Sequence, residues 1–142
     1  MRAVGYLSRR EHSRQELTRK LAPFASGPDE VETLLDTLEK EAWLSNERYA
    51  QSVVHRLAPK QGLSRIVYEL RQNGVSSAQI DDLREDLKAT ERVRALEVWR
   101  KRYGNLPTDA KERGKQIRFL MSRGFSQDTI RHVLSGAEVD DE

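Results

Sequence analysis

The sequence predicts an all-α fold: an elongated tandem array of three three-helix repeats, with about nine short helices. Three observations predict it. The first is charge. Residues 1–27 carry six basic and two acidic groups, 28–47 one and seven, 48–74 five and one, 75–91 two and five, 92–124 ten and three, and 125–142 one and five. These blocks nearly cancel to a net +2. They alternate with a spacing of about 45–50 residues, as in arrays whose units bury apolar faces against their neighbours. The second is internal similarity. Leu70, Gly74, Ser76 and Ile80 recur as Leu120, Gly124, Ser126 and Ile130, Glu47-Arg48 recurs as Glu91-Arg92, and Ser13-Arg14 with Glu16-Leu17 echoes Ser64-Arg65 with Glu69-Leu70. The third is periodicity. Apolar residues fall at helical spacing almost throughout, and no useful stretch alternates with period two.

The elements follow in order. A short helix covers residues 3–10. Ser13 and Glu16 form a capping box ahead of the stripe Leu17, Leu21 and Phe24. Gly27-Pro28-Asp29-Glu30 starts the third helix, with Pro in the first turn and acids facing the helix dipole; its stripe is Val31, Leu34, Leu35 and Leu38. Ser45 or Asn46 caps the next helix, with stripe Tyr49, Val53 and Leu57. Leu63, Ile66, Val67 and Leu70 follow, stopped by Gly74. Ser76 and Gln79 make a second capping box before Ile80, Leu83 and Leu87. Leu96, Trp99 and Tyr103 run to Gly104. Ile117, Leu120 and Met121 run to Gly124, and Ser126 caps the last stripe, Ile130, Val133 and Leu134. Trp43 and Trp99 are both expected in the core. The repeats are expected at 1–45, 46–89 and 90–137, followed by an acidic disordered tail at 138–142.

Composition excludes several chemistries. Charged residues are 34% of the chain, above the roughly 25% of typical soluble domains. Cysteine is absent, so disulfides, thiolate catalysis and cysteine–metal sites are excluded. No apolar run is long enough for a membrane span, and no secretory leader opens the chain, so a cytoplasmic location is expected. His12, His55 and His132 stand in no metal-ligand spacing and read as solvated or capping residues. Gly114-Lys115 lacks the rest of a phosphate-binding loop, and carboxylate pairs such as Asp81-Asp82 read as solvated charge. No catalytic residue, metal site or cofactor is expected.

Basic surface is what remains. Lys111, Lys115 and Arg118 share one helix face at i, i+4, i+7, flanked by Arg113 and Arg123. Arg100, Lys101 and Arg102 crowd the end of the preceding helix. Arg65, Tyr68 and Arg71 share a face opposite Ile66, Val67 and Leu70. With Arg9, Arg10, Arg48 and Arg56, these are the candidate contacts to a partner or DNA. Arginine greatly outnumbers lysine and suits bidentate contacts to carboxylate or phosphate. The segment Leu70–Lys88 has the outline of a helix-turn-helix. Its would-be recognition helix, 77–88, carries Asp81, Asp82, Glu85 and Asp86 against Arg84 and Lys88, which argues against sequence-specific reading of DNA.

Four motifs in order carry a family resemblance. They are Tyr6-Leu7-Ser8-Arg9-Arg10-Glu11-His12-Ser13 with Glu16-Leu17 and Lys20-Leu21; Trp43-Leu44-Ser45-Asn46-Glu47-Arg48-Tyr49-Ala50; Gly62 with Arg65-Ile66, Glu69-Leu70 and Gly74-Val75; and Arg118-Phe119-Leu120 with Arg123-Gly124-Phe125 and Ile130. Together they make the chain resemble the RecX regulatory family over essentially its whole length. The second motif departs from the family's usual Asp at Asn46, and Asn caps helices equally well. The chain starts almost at the first motif, so an N-terminal extension is not expected.

The resemblance implies three tandem three-helix repeats and a non-enzymatic protein that binds the RecA filament on single-stranded DNA. It implies suppression of RecA ATP hydrolysis and strand exchange in DNA recombination and repair, with binding along the filament groove. The expected partners are the RecA filament, and single-stranded DNA weakly or through RecA. A monomer is expected. The alternative kept open is a stand-alone helical module binding nucleic acid without sequence specificity.

Overall fold

The computed structural model describes residues 2–136, and the acidic tail expected at 138–142 lies outside the described residues. Among the described residues the regular elements are all helical: α1 (Arg2–Arg9), α2 (Arg14–Leu21), a 3-10 turn (Ala22–Phe24), α3 (Pro28–Lys40), α4 (Asn46–Leu57), α5 (Leu63–Gln72), α6 (Ser77–Arg102), α7 (Ala110–Ser122) and α8 (Gln127–Leu134). The sequence predicts nine helices, and the difference lies in α6. Two expected helices form one of 26 residues, because no Gly or Pro interrupts 77–102 and the residues around Ala89 favour helix. The repeat boundary expected between 89 and 90 falls inside this helix.

The chain forms two compact units, Met1–Val53 with Glu69–Ile80, and Val54–Tyr68 with Asp81–Glu142. In the first, Ala3, Leu17, Leu21, Val31, Leu35, Leu38 and Leu44 make one apolar core. In the second, Ala95, Val98, Trp99, Leu120, Phe125, Ile130, Val133 and Leu134 make another. The stripes of α4 and α5 are also buried at Tyr49, Val53, Leu57, Ile66, Val67 and Leu70.

Local chemistry sets the helix ends. Ser13 accepts from the Glu16 N–H while Glu16 accepts from the Ser13 N–H. Ser76 and Gln79 repeat this exchange at α6. Ser45 caps α4 through the Arg48 N–H, and Ser126 caps α8. Gly74 and Gly124 end α5 and α7 with φ of 80° and 89°, left-handed values that glycine adopts without steric penalty.

Three apolar expectations fail. Phe24 is exposed because α2 ends at Leu21 and the 3-10 turn breaks the stripe; the Arg2 guanidinium covers its ring at 3.8 Å. Met121 is exposed because its neighbour Leu120 takes the core position. Trp43 is 43% exposed: Ala42 turns the chain with φ of 65°, and Leu44 enters the core instead. Trp99 is buried as expected. His12 is likewise buried rather than solvated.

Candidate basic interface

Each unit fastens the start of one helix to the glycine corner of another by the same device. In the first unit, Asn46 on α4 accepts the Arg14 N–H at 2.8 Å, satisfying a free donor at the start of α2. Asn46 therefore serves the neighbouring helix, while Ser45 caps its own. Gln15 then reaches the Gln72 carbonyl at 3.3 Å, and Arg19 reaches Asn73 at 2.9 Å, beside the Gly74 corner. In the second unit, Glu91 on α6 accepts the Leu63 N–H at 2.8 Å, at the start of α5. The Gly62 N–H bonds the Arg123 carbonyl at 2.7 Å and the Ser64 hydroxyl bonds the Gly124 carbonyl at 2.8 Å. The device recurs with the repeat, which accounts physically for the repeated glycines: a Cβ on Gly74 would meet Gln15, and one on Gly124 would meet Arg65.

These ties sort the candidate cations. Arg10 and Arg48 are used internally. Arg10 pairs with Glu16 at 3.0 Å, a contact that raises the Arg10 pKa. Arg48 pairs with Glu11 at 2.9 Å and bonds the Ala42 and Trp43 carbonyls. Both hold the turns around α2 and α4. Arg9 is exposed at the end of α1, near the Tyr6 ring. Arg56, Arg65, Arg71, Arg100, Lys101, Arg102, Lys111, Lys115 and Arg118 are exposed, as is Tyr68, at 61%. Arg118 folds back over Gly114, where an added Cβ would stand 3.1 Å from its guanidinium.

Several candidates converge in the second unit. A cleft of about 260 Å³ is lined by Lys101 and Arg102 of α6 and by Arg123 at the end of α7, together with Lys60. Pro59, Val98 and Phe119 supply its apolar lining. The Phe119 ring has the Arg123 and Arg102 guanidiniums at 5.0 and 5.5 Å from its centre, with Tyr103 edge-on at 5.6 Å. Close by, the stem of Arg65 packs where a Cβ on Gly124 would otherwise sit. Lys101 and Arg102 also lie in the last turn of α6, where cations complement the helix dipole.

Sequence reasoning missed Lys60, which lies alone in a loop. It also missed two charges that organise this unit, the buried Glu91 and the half-buried Arg94. Glu91 accepts from the Ser126 N–H and the Thr129 hydroxyl as well as from Leu63. Arg94 donates to the Ala58, Gln61 and Leu87 carbonyls at 3.0, 2.6 and 2.8 Å; burial lowers its pKa, while the carbonyl oxygens solvate the cation. The recurrence of Glu47-Arg48 as Glu91-Arg92 was the one available signal at Glu91.

Comparisons with known proteins agree with this architecture. Family models described as RecX, second three-helix domain, and RecX, third three-helix domain, match residues 45–83 and 90–134. A protein named regulatory protein RecX from Ralstonia nicotianae is 50% identical over 137 residues, covering 96% of this chain and 86% of that protein. One of the same name from Leptothrix cholodnii is 51% identical over 137 residues, covering 96% and 87%. A crystal structure of a regulatory protein RecX superposes with a TM-score of 0.80 at 25% identity, covering 96% of this chain and 70% of that one.

Proposed function

The chain belongs to the RecX regulatory family, and from that membership we propose that it regulates the RecA recombinase without itself catalysing a reaction. In this reading it binds RecA filaments on single-stranded DNA, in the cytoplasm, and lowers both ATP hydrolysis and strand exchange. The observation that carries it is the roughly half-identity to regulatory proteins over 96% of the chain. The exposed cations of α5, α6 and α7 supply the docking faces, since separated single-sign patches attract a charged partner and orient its approach. The repeats act as three small modules along that partner, with divisions at 1–45, 46–89 and 90–137.

Titration of the protein into RecA on single-stranded DNA tests the reading. ATP hydrolysis and strand exchange should both fall with added protein; no effect on either overturns it. Charge reversal of Arg65 with Arg71, or of Lys115 with Arg118, should weaken the inhibition while helicity is retained. If both pairs inhibit like the wild type, these faces are not the docking surface.

A further inference from the structure

We propose that the cleft formed by Lys60, Lys101, Arg102, Phe119 and Arg123 is a binding site for one unpaired nucleotide of a single-stranded nucleic acid. The proposal deepens the filament reading above and rests on it only for the identity of the strand. Three features carry it. Four cations face one space of about 260 Å³, and none of the four forms an ion pair among the described residues. No carboxylate belongs to the lining. The cleft therefore presents one sign of charge and its walls focus the field on a bound anion.

The lining is also built for a flat, apolar group beside the charge. Phe119 carries two guanidiniums near its ring, with Val98 and Pro59 alongside. Aromatic and guanidinium planes both stack on bases, and such stacking tolerates any base. Arg102 and Arg123, set against Phe119, offer planar surfaces to the base; the flexible stems of Lys60 and Lys101 carry their ammoniums to the flanking phosphates as point charges. A paired base cannot leave its stack without loss of pairing energy, so a site of this kind selects single strands. The exposed Tyr68, one turn along α5 from Arg65, offers the next stacking surface on the same unit.

The test uses the full chain and a fluorescent oligothymidylate without RecA, read by anisotropy over a salt series. Wild type should bind the single strand and bind a duplex of equal length more weakly. Lys60→Ala with Lys101→Ala, both exposed positions, should weaken binding about tenfold. It should also make the log–log salt slope shallower by about 1.4, roughly 0.7 per lost phosphate contact on a single strand. Arg102→Lys with Arg123→Lys keeps the charge and removes the planes; binding should weaken several-fold with the slope unchanged. Circular dichroism confirms helicity in each variant. No binding by wild type, wild-type binding by both doubles, or equal binding of duplex overturns the proposal. So does binding of an acidic polyglutamate probe by wild type that both doubles lose while their oligonucleotide binding stays intact, which would assign the cleft to an acidic peptide. RecA ATPase is measured in parallel: inhibition by a wild type that does not bind the oligonucleotide sinks the cleft proposal and leaves the regulatory reading standing.

Discussion

The Gly62 N–H donates to the carbonyl of Arg123 at 2.7 Å, and the two glycines beside this bond, Gly62 and Gly124, meet backbone to backbone. An added Cβ on Gly62 would lie 2.7 Å from the Phe125 nitrogen and closer still to the Gly124 carbonyl. Neither obstacle is the flexible end of a side chain, so α5 and α7 must separate. Gly62→Ala should therefore destabilise the protein by about 1–3 kcal/mol, the usual range for overpacking. Urea unfolding followed by circular dichroism checks this. A change under about 0.5 kcal/mol, typical of an unremarkable surface site, would show that the junction yields easily.

Glu91 should be the most sensitive polar residue. Its carboxylate serves the start of α5 and the cap of α8 together, through Leu63, Ser126 and Thr129. Glu91→Ala removes the acceptor of one buried and two part-buried donors, each costing up to about 1–3 kcal/mol. A loss of roughly 3 kcal/mol or more is expected in urea unfolding. Glu91→Gln retains one acceptor oxygen and should lose less. Equal losses for the two variants would mean that the negative charge, rather than the number of acceptors, holds the two helices.

Acid should weaken the first unit through His12. The ring is buried, with Nδ1 3.1 Å from the Arg10 carbonyl and Nε2 2.9 Å from the Lys20 ammonium. The carbonyl accepts from Nδ1–H, so Nε2 is bare and accepts from Lys20. Burial, helped by the charges of Arg10 and Lys20 and opposed by the Arg10 carbonyl and Glu16, lowers the pKa from 6.5; Tyr6 packs beside the ring. The folded state then binds a proton less readily than the unfolded chain, so stability rises with pH. His12's contribution is complete above the unfolded value of 6.5 and is lost as pH falls below it toward the lower folded value. Glu16, whose pKa is also lowered, acts the same way at more acid pH. Between about pH 7.5 and 5 the urea midpoint should fall, with Asn or Gln at position 12 flattening that fall. A wild-type profile as flat as the variants' would remove His12 as the cause.

The parts of the fold set by local chemistry were legible in the sequence. Helical stripes such as Ile66, Val67 and Leu70, the capping boxes at Ser13 and Ser76, and the stops at Gly74 and Gly124 depend on residues within one or two turns of each other. What was hidden depends on distant partners. Nothing local marks Glu91 and Arg94 as organising residues, because the Leu63 N–H that Glu91 accepts and the Gln61 carbonyl that Arg94 reaches lie about 30 positions away. Arg10 and Arg48 looked like free surface cations because helical spacing does not pair Arg10 with Glu16 across the turn between α1 and α2, or Arg48 with Glu11. The basic blocks of α6 and α7 were visible as composition. Their meeting around Phe119, with Lys60 added, was not, because it needs the packing of two helices and a loop.

The two tryptophans report these environments separately. Trp43 is 43% exposed and Trp99 is 7% exposed. The Trp99 indole N–H donates to the buried Gln116 oxygen at 2.7 Å, and the Gln116 amide donates to the Asn105 carbonyl at 3.1 Å. This chain fixes the end of α6 against α7 and leaves both buried polar side chains satisfied. Trp99→Ala removes a large core ring and the donor to the buried Gln116 oxygen, so it should destabilise by about 3–5 kcal/mol. Trp43→Ala should change stability by about 0.5 kcal/mol or less. Acrylamide should quench Trp43 strongly and Trp99 weakly, giving a curved quenching plot in wild type and a straight, shallow one in Trp43→Phe. If binding to the RecA filament shields the accessible component, Trp43 belongs to the contact surface; if quenching is unchanged on binding, that surface lies elsewhere.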